Sequence, residues 1–180
     1  ELFTSEGCSS CPPAEHWLSD FRAHPKLWEE IVPIAWHVNY WDRLGWKDVY
    51  ASKQNTARQY AYADMWRARS VYTPGFVLNG REWRRGEILK SPSPGAGNLR
   101  VVKQDNQEFR ISYTPGSDVG KTDYRVTLAM LGGGIISEVS RGENAGRELR
   151  HDFIVLQTID AALKLNSAGE YIATLRFAQD

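Results

Sequence analysis

The chain has 180 residues, enough for one large domain or two small ones whose core needs no cross-link to hold it. Its 22 basic residues balance 22 acidic ones, and no basic run stands out, so nothing marks a nucleic-acid or anionic-membrane partner. No apolar stretch approaches the ~20 residues that span a bilayer, and no integral membrane segment is expected.

Taken in chain order, "ELFTS" at the start reads as the tail of an apolar strand, as if a leader and the strand's first residues had been removed. "SEGCSSCPPAEHW" follows, and holds both cysteines of the chain, Cys8 and Cys11, three positions apart with a double proline behind them. Ala14, Trp17, Leu18 and Phe21 then recur at helical spacing until Pro25 ends the run. "IVPIAWHV" has the length and β-branched content of a strand buried on both faces. A tryptophan-rich loop comes next, and then a helix from about Lys53 to Arg69 with Ala57, Ala61, Met65 and Ala68 as its expected inward stripe. "GFVLNGREW" is a strand, an Asn-Gly turn and a strand, a strong hairpin signal.

Composition changes after this hairpin. All seven tryptophans and both cysteines lie before position 84, and "SPSPGAGN" at 91–98 joins proline, glycine and serine as a linker does. Beyond it, "LRVVKQ", "EFRISY", "YRVTLAML", "IISEVS", "HDFIVLQ", "AALKLN" and "YIATLRF" are separated by turn-forming stretches that include "GGG" and "GENAG". Seven short strands at that spacing predict an antiparallel sandwich. The expected organisation is residues 1–90, a linker at 91–98, and residues 99–180.

Two cysteines at this spacing can be a redox couple, half of a metal site, or a staple, and a chain of this size does not need the staple to fold. At a strand-to-helix junction the first sulfur lies near free N–H groups and the positive end of the helix, which stabilise a thiolate and make Cys8 the nucleophile. Cys11 then resolves the mixed disulfide from within the same loop. The double proline suits a first helical turn but pushes Cys11 toward extended geometry, delaying the regular helix. As a metal site, Cys8 and Cys11 with His37 or His16 offer donors suited to Cu(I).

The loop "WHVNYWDRLGWKD" carries His37 and Asp42 with Trp36, Tyr40, Trp41 and Trp46. Two readings stand: His37 exchanges protons near the thiols while Trp36 and Trp41 recognise a partner, or the segment is a packed aromatic cover for the sheet edge. "RGENAGREL", with Arg141, Glu143, Asn144 and Arg147, reads as a polar hairpin turn that also docks against the first half.

The strand, helix and hairpin order, with Thr73-Pro74 in "VYTPGFVLNG", resembles thioredoxin-fold proteins. That resemblance implies a cis Pro74 beside the cysteines and a Thr73 backbone that pairs with the substrate chain. More specifically, "ELFTSEGCSSCPPAE", "WHVNYWDRLGWKDVYAS", "RQYAY", "VYTPGFVLNGR" and "RGENAGRELRHDFIVL" together resemble the bacterial domain-of-unknown-function family 1223 over almost the whole chain. The resemblance implies a thioredoxin-like, exported protein in the periplasm or outside the cell, where such a cysteine pair is normally oxidised. Two departures stand out. Leu2 occupies the position of the buried acid that assists the second cysteine in thioredoxins, and "RGEILK" leaves little room for the usual helix after the hairpin. The expectation is therefore an α/β thioredoxin-like domain followed by an all-β antiparallel sandwich-like domain. Its expected activity is thiol–disulfide exchange with a protein thiol or disulfide partner, without a cofactor. The alternatives are a copper-binding protein using Cys8, Cys11 and His37, and a non-catalytic binding module with a structural disulfide.

Overall fold

The computed structural model describes residues 1–84, 97–105, 107–116 and 122–178. The segment "RGEILK" and positions 91–96 of the expected linker lie outside the described residues. The elements run β1 (Leu2–Thr4), α1 (Pro12–Ser19), β2 (Ala35–His37), α2 (Lys53–Trp66), β3 (Gly75–Leu78), β4 (Arg81–Trp83), β5 (Asn98–Lys103), β6 (Glu108–Thr114), β7 (Arg125–Val139), β8 (Arg147–Ala162), β9 (Lys164–Leu165) and β10 (Tyr171–Arg176). Two compact units result: Glu1–Ile88 with Leu131–Leu156, and Leu89–Met130 with Gln157–Asp180.

The first unit is built on a mixed sheet of order β4-β3-β1-β2-β8-β7. β1 and β2 run parallel with Leu2 opposite Ala35, and Ala35 is in turn paired with Ile154 of β8. Those three side chains, each 0% exposed, form one row across three strands, against which Ala14 and Leu18 of α1 pack. Because side chains alternate along a strand, Phe3 faces away from this row. It meets Tyr62 of α2 edge-on at 6.1 Å between ring centres. The β3–β4 hairpin turns on Asn79 and Gly80, both at positive φ (49° and 78°), as a tight Asn-Gly turn requires.

Helix α2 starts where Ser52 accepts a hydrogen bond from the Asn55 N–H, a serine N-cap. Its inward face differs from the expected stripe. Asn55, Gln59 and Ala63 are buried, while Ala57, Ala61, Met65 and Ala68 are exposed. The reason is hydrogen bonding: the Asn55 amide donates to the His37 carbonyl at 3.0 Å and the Gln59 amide to the Tyr72 carbonyl at 2.7 Å, so two polar side chains take the inner face.

The expected fold class is corrected by this topology. The first half is not a helix-flanked thioredoxin domain, and the second half is not a seven-stranded sandwich. β7 and β8, of 15 and 16 residues, join the first unit's sheet through the β2–β8 pairing. Three-residue strands such as β1 and β2 bury too little surface alone, and β8 supplies the partner along the edge that β2 would otherwise expose. "GGG" is not a turn but an interior stretch of β7: Gly134 sits at φ 68° and its N–H donates to the Asp152 carboxylate at 2.7 Å, which also pairs with Arg22 at 3.2 Å. The second unit, described by itself, holds a four-stranded antiparallel sheet of order β5-β6-β10-β9. Its buried residues include Ile111, Tyr171, Leu175 and Phe177. Among the described residues no helix is long and apolar enough to cross a membrane.

Two stability measurements follow from this architecture. Ile154→Ala should lower unfolding free energy by about 3 kcal/mol in a denaturant titration, since it opens a cavity in the central row. A loss under about 1 kcal/mol would mean that β8 is a dispensable edge. At the start of β1, Arg58 donates two bonds to the Glu1 carboxylate (2.6 and 2.8 Å) and Tyr62 donates a third (2.7 Å). Burial pushes the Glu1 carboxyl up, but Arg58 and Tyr62 outweigh it and hold it below its ordinary value. A carboxyl lowered by folding contributes stability above the usual carboxylate range and loses it as pH falls through the depressed value. Arg58→Met should therefore melt below wild type at neutral pH, and the gap should narrow at strongly acidic pH.

Candidate functional site

The chain leaves β1 at Thr4 and enters α1 at Pro12, so both cysteines fall in the connecting loop. Cys8 and Cys11 form a disulfide with their Cα atoms 5.4 Å apart. The loop is wound by successive turns: Cys8 N–H donates to Ser5 O, Cys11 N–H to Cys8 O, and the Ala14 and Glu15 N–H groups to Cys11 O. Cys11 adopts helical angles (φ −77°, ψ −37°) directly before the two prolines, so the helix is not delayed as the double proline suggests. Pro12 and Pro13 occupy the first turn, where their missing N–H groups cost nothing. Both sulfur-bearing residues are 0% exposed.

Thr73-Pro74 lies beside this loop with its peptide bond cis. The Thr73 carbonyl oxygen is 3.8 Å from Cys8 Sγ, and Ser10 Oγ is 3.3 Å from the same sulfur. Trp41 joins them by donating its indole N–H to Thr73 Oγ1 at 2.8 Å. Its Cβ packs so closely on Gly7 that a side chain there would meet it at 2.9 Å. A groove of about 470 Å³ opens alongside, its lining including Ser10, Pro13, Tyr72, Pro74, Trp83 and Arg84.

The other aromatic-loop residues are placed elsewhere. Trp36 is 3% exposed and stacks under the Arg58 guanidinium, 4.7 Å from the ring centre. Asp42 accepts from the Asp48 N–H at 3.3 Å, and burial pushes its carboxyl up. His37 is fully buried, its Nδ1 2.7 Å from Asp48 Oδ2. Burial pushes His37 down, but Asp48 outweighs it and the ring stays above its ordinary value; Asp48 is correspondingly held low against its own burial.

A buried polar network under the loop was not singled out from the sequence. Glu6 and His151 are each 0% exposed and Glu15 is 5% exposed. His151 bridges the two acids, Nδ1 to Glu15 at 2.5 Å and Nε2 to Glu6 at 3.1 Å. Burial pulls His151 down, yet the two carboxylates overcome it and raise it to about 10. Burial pushes Glu6 up, but His151, Ser137 and the Trp46 indole N–H at 2.6 Å hold it low. His151 lies in an apolar β pattern that reads as core, and no local spacing ties it to Glu6 or Glu15.

The turn between β7 and β8 completes the loop's surroundings. The Asn144 amide, 0% exposed, donates to both the Glu6 carbonyl (2.8 Å) and the Cys8 carbonyl (3.0 Å). Glu143 accepts from the Ser9 N–H at 3.0 Å, and Arg147 donates to Asn144 Oδ1 at 3.1 Å. Docking of "RGENAGREL" on the first half is thus realised as backbone bonds to the cysteine loop itself.

Comparison with known proteins adds a fold relative and a family. A crystal structure of a protein from Agrobacterium tumefaciens, solved as a structural-genomics target, is similar with a TM-score of 0.66 and 22% identity, covering 97% of this chain and 91% of that one. That likeness concerns the fold alone. Among curated proteins no match was found. The family model described as "Protein of unknown function (DUF1223)" matches residues 1–177, and the chain belongs to that family.

Proposed function

We propose that this protein is a thiol–disulfide oxidoreductase of the cell envelope, acting on protein disulfides or dithiols through Cys8 and Cys11. The observation that carries the reading is the pairing of the two cysteines at a strand-to-helix junction, with the Thr73 carbonyl 3.8 Å from Cys8 Sγ and a groove beside it. Helix α1 begins directly after Cys11, so its positive end favours a thiolate in the loop when the bond is reduced. The groove's wall of Pro13, Tyr72, Pro74, Phe76 and Trp83 suits an extended chain with an apolar or aromatic side chain. An envelope setting is implied by the family resemblance, and an oxidised pair is what such a compartment maintains.

In the oxidising direction a substrate thiolate attacks Cys8 Sγ. A sulfur–sulfur bond forms to the substrate, the Cys8–Cys11 bond breaks, and Cys11 leaves as a thiolate. A second substrate thiolate then attacks its partner sulfur and displaces Cys8. Two electrons pass from the substrate dithiol to the protein, and the protons of the substrate thiols end on the cysteines or in solvent. Run backwards, the same steps reduce a substrate disulfide. Cys8 is fully covered in the oxidised form, so attack requires local opening of the segment around it, and Trp41 on Gly7 and Thr73 is the contact nearest to hand.

The copper alternative uses the same thiols with His37. It is less well supported, because His37 Nδ1 is held by Asp48 and the ligand-type atoms grouped with His37 are those of Glu15 and His151. A non-catalytic module with a structural disulfide is separated by experiment. Cys11→Ser should accumulate a mixed disulfide at Cys8 when mixed with a protein disulfide, visible as an added mass, and Cys8→Ser should not. Absence of any adduct, together with failure of the wild type to exchange with glutathione, would overturn the reading.

Asn144→Ala should cost about 1–3 kcal/mol in a denaturant titration by leaving two buried carbonyls without their donor. It should also speed amide exchange in the loop around Cys8, and the thiol trap in the Cys11→Ser background should still form. Unchanged stability and exchange would remove the turn from any role in holding the loop.

A further inference from the structure

One residue from each of three elements of the first unit meets in a small buried space. Glu15 of α1, His37 of β2 and His151 of β8 each present one ligand-type atom, and these atoms all lie within 4.8 Å of one another. Each residue is held from behind by a different partner. Asp48 lies 2.7 Å from His37 Nδ1, Glu6 lies 3.1 Å from His151 Nε2, and the Thr4 hydroxyl donates to Glu15 Oε1 at 2.5 Å. Carboxylates behind imidazoles, fixing ring orientation and leaving the other nitrogen forward, are the usual support for metal-binding histidines. The forward edges bring His151 Nδ1 to 2.5 Å from Glu15 Oε2. His37 Nε2, on a side chain that is 0% exposed, has no hydrogen-bond partner among the described residues. A buried ring nitrogen left unpaired is costly, and a group placed against it recovers that cost.

We propose that Glu15, His37 and His151 form a buried binding site for one divalent transition-metal ion, with Zn²⁺ the best match. Two imidazoles and a carboxylate are a donor set for borderline metals, and they do not suit the soft Cu(I) that the cysteines would take. Three carboxylates, Glu6, Glu15 and Asp48, surround the two rings, so a cation that displaces the proton between His151 Nδ1 and Glu15 keeps carboxylates on every side. Tetrahedral ligands bound at 2.0–2.1 Å sit about 3.3 Å apart, so the most distant pair must close by about 1.5 Å at most and the Glu15–His151 contact must open by about 0.8 Å. The site is separate from the disulfide in chemistry: with a water in the fourth position the ion would fasten α1, β2 and β8 to one another and leave thiol exchange to Cys8 and Cys11.

The test uses the full chain with its disulfide intact, stripped with a chelator and titrated with Zn²⁺ by calorimetry, with melting curves before and after. Expected are one equivalent bound, a higher melting temperature with Zn²⁺, and a Co²⁺ visible spectrum without thiolate charge-transfer bands. Binding should persist in the Cys8→Ser, Cys11→Ser double variant and weaken roughly tenfold or more in Asp48→Asn, which keeps all three ligands and loses the support behind one. His37→Gln should abolish stoichiometric binding, and His16→Gln should leave it unchanged. The proposal is overturned if no stoichiometric binding is seen, as when a water satisfies His37 Nε2. It is equally overturned if binding survives both His37→Gln and Asp48→Asn, or disappears in the cysteine double variant.

Discussion

The structure depends on one strand entering beside another. β2 has only three residues, and its outer edge is occupied by β8, a strand more than a hundred positions later in the chain. The Leu2, Ala35 and Ile154 row that results is the floor on which α1 rests, and α1 begins at the cysteines. The same strand carries His151 into the space beneath the loop, and the turn before it carries Glu143 and Asn144 onto the loop's backbone. Without β8, Glu6 and Glu15 would lose their shared imidazole, and the Glu6 and Cys8 carbonyls would lose their donor. Burying those groups unpaired is costly, so the hairpin and the cysteine loop stabilise each other.

That coupling changes what the disulfide means physically. Its loop is tied by short backbone turns and by side chains that do not depend on the sulfur–sulfur bond. Breaking that bond therefore removes one covalent constraint from a segment that remains hydrogen-bonded on several sides. A frame of that kind allows the cysteines to cycle without refolding around them, whereas a staple would be the loop's main support. Under the proposed exchange activity, the full burial of both cysteines would place kinetic control in the cover over them, where Trp41 bonds to Thr73.

The sequence was most legible where the determinants are local. The cysteine spacing, the helical period through Ala14 and Leu18, and the Asn79-Gly80 turn each depend on neighbours within a few residues, and each appears in the structure. It was least legible where a residue's role is set by a distant partner. Apolar spacing assigns the inner face of α2 to Ala57, Ala61, Met65 and Ala68, but Asn55 and Gln59 win it by donating to carbonyls of other segments. Three consecutive glycines read as a turn, yet Asp152 captures the Gly134 N–H and lets β7 run through them. The destination of the β7–β8 hairpin, and with it the expected fold class, could not be read because pairing between β2 and β8 leaves no local pattern. His151 stayed hidden for the same reason, whereas Asn144 was visible as part of a docking turn though not by the atoms it grips.

On the proposed function, Cys8–Cys11 is a reversible couple in a frame that stays folded in both states. A redox titration in glutathione buffers, with a thermal melt of the fully oxidised and fully reduced chain, tests it most directly. Expected are a single two-electron transition that reverses completely and cooperative melting in both states. A protein that unfolds on reduction, or a disulfide that does not equilibrate with the buffer, would contradict it.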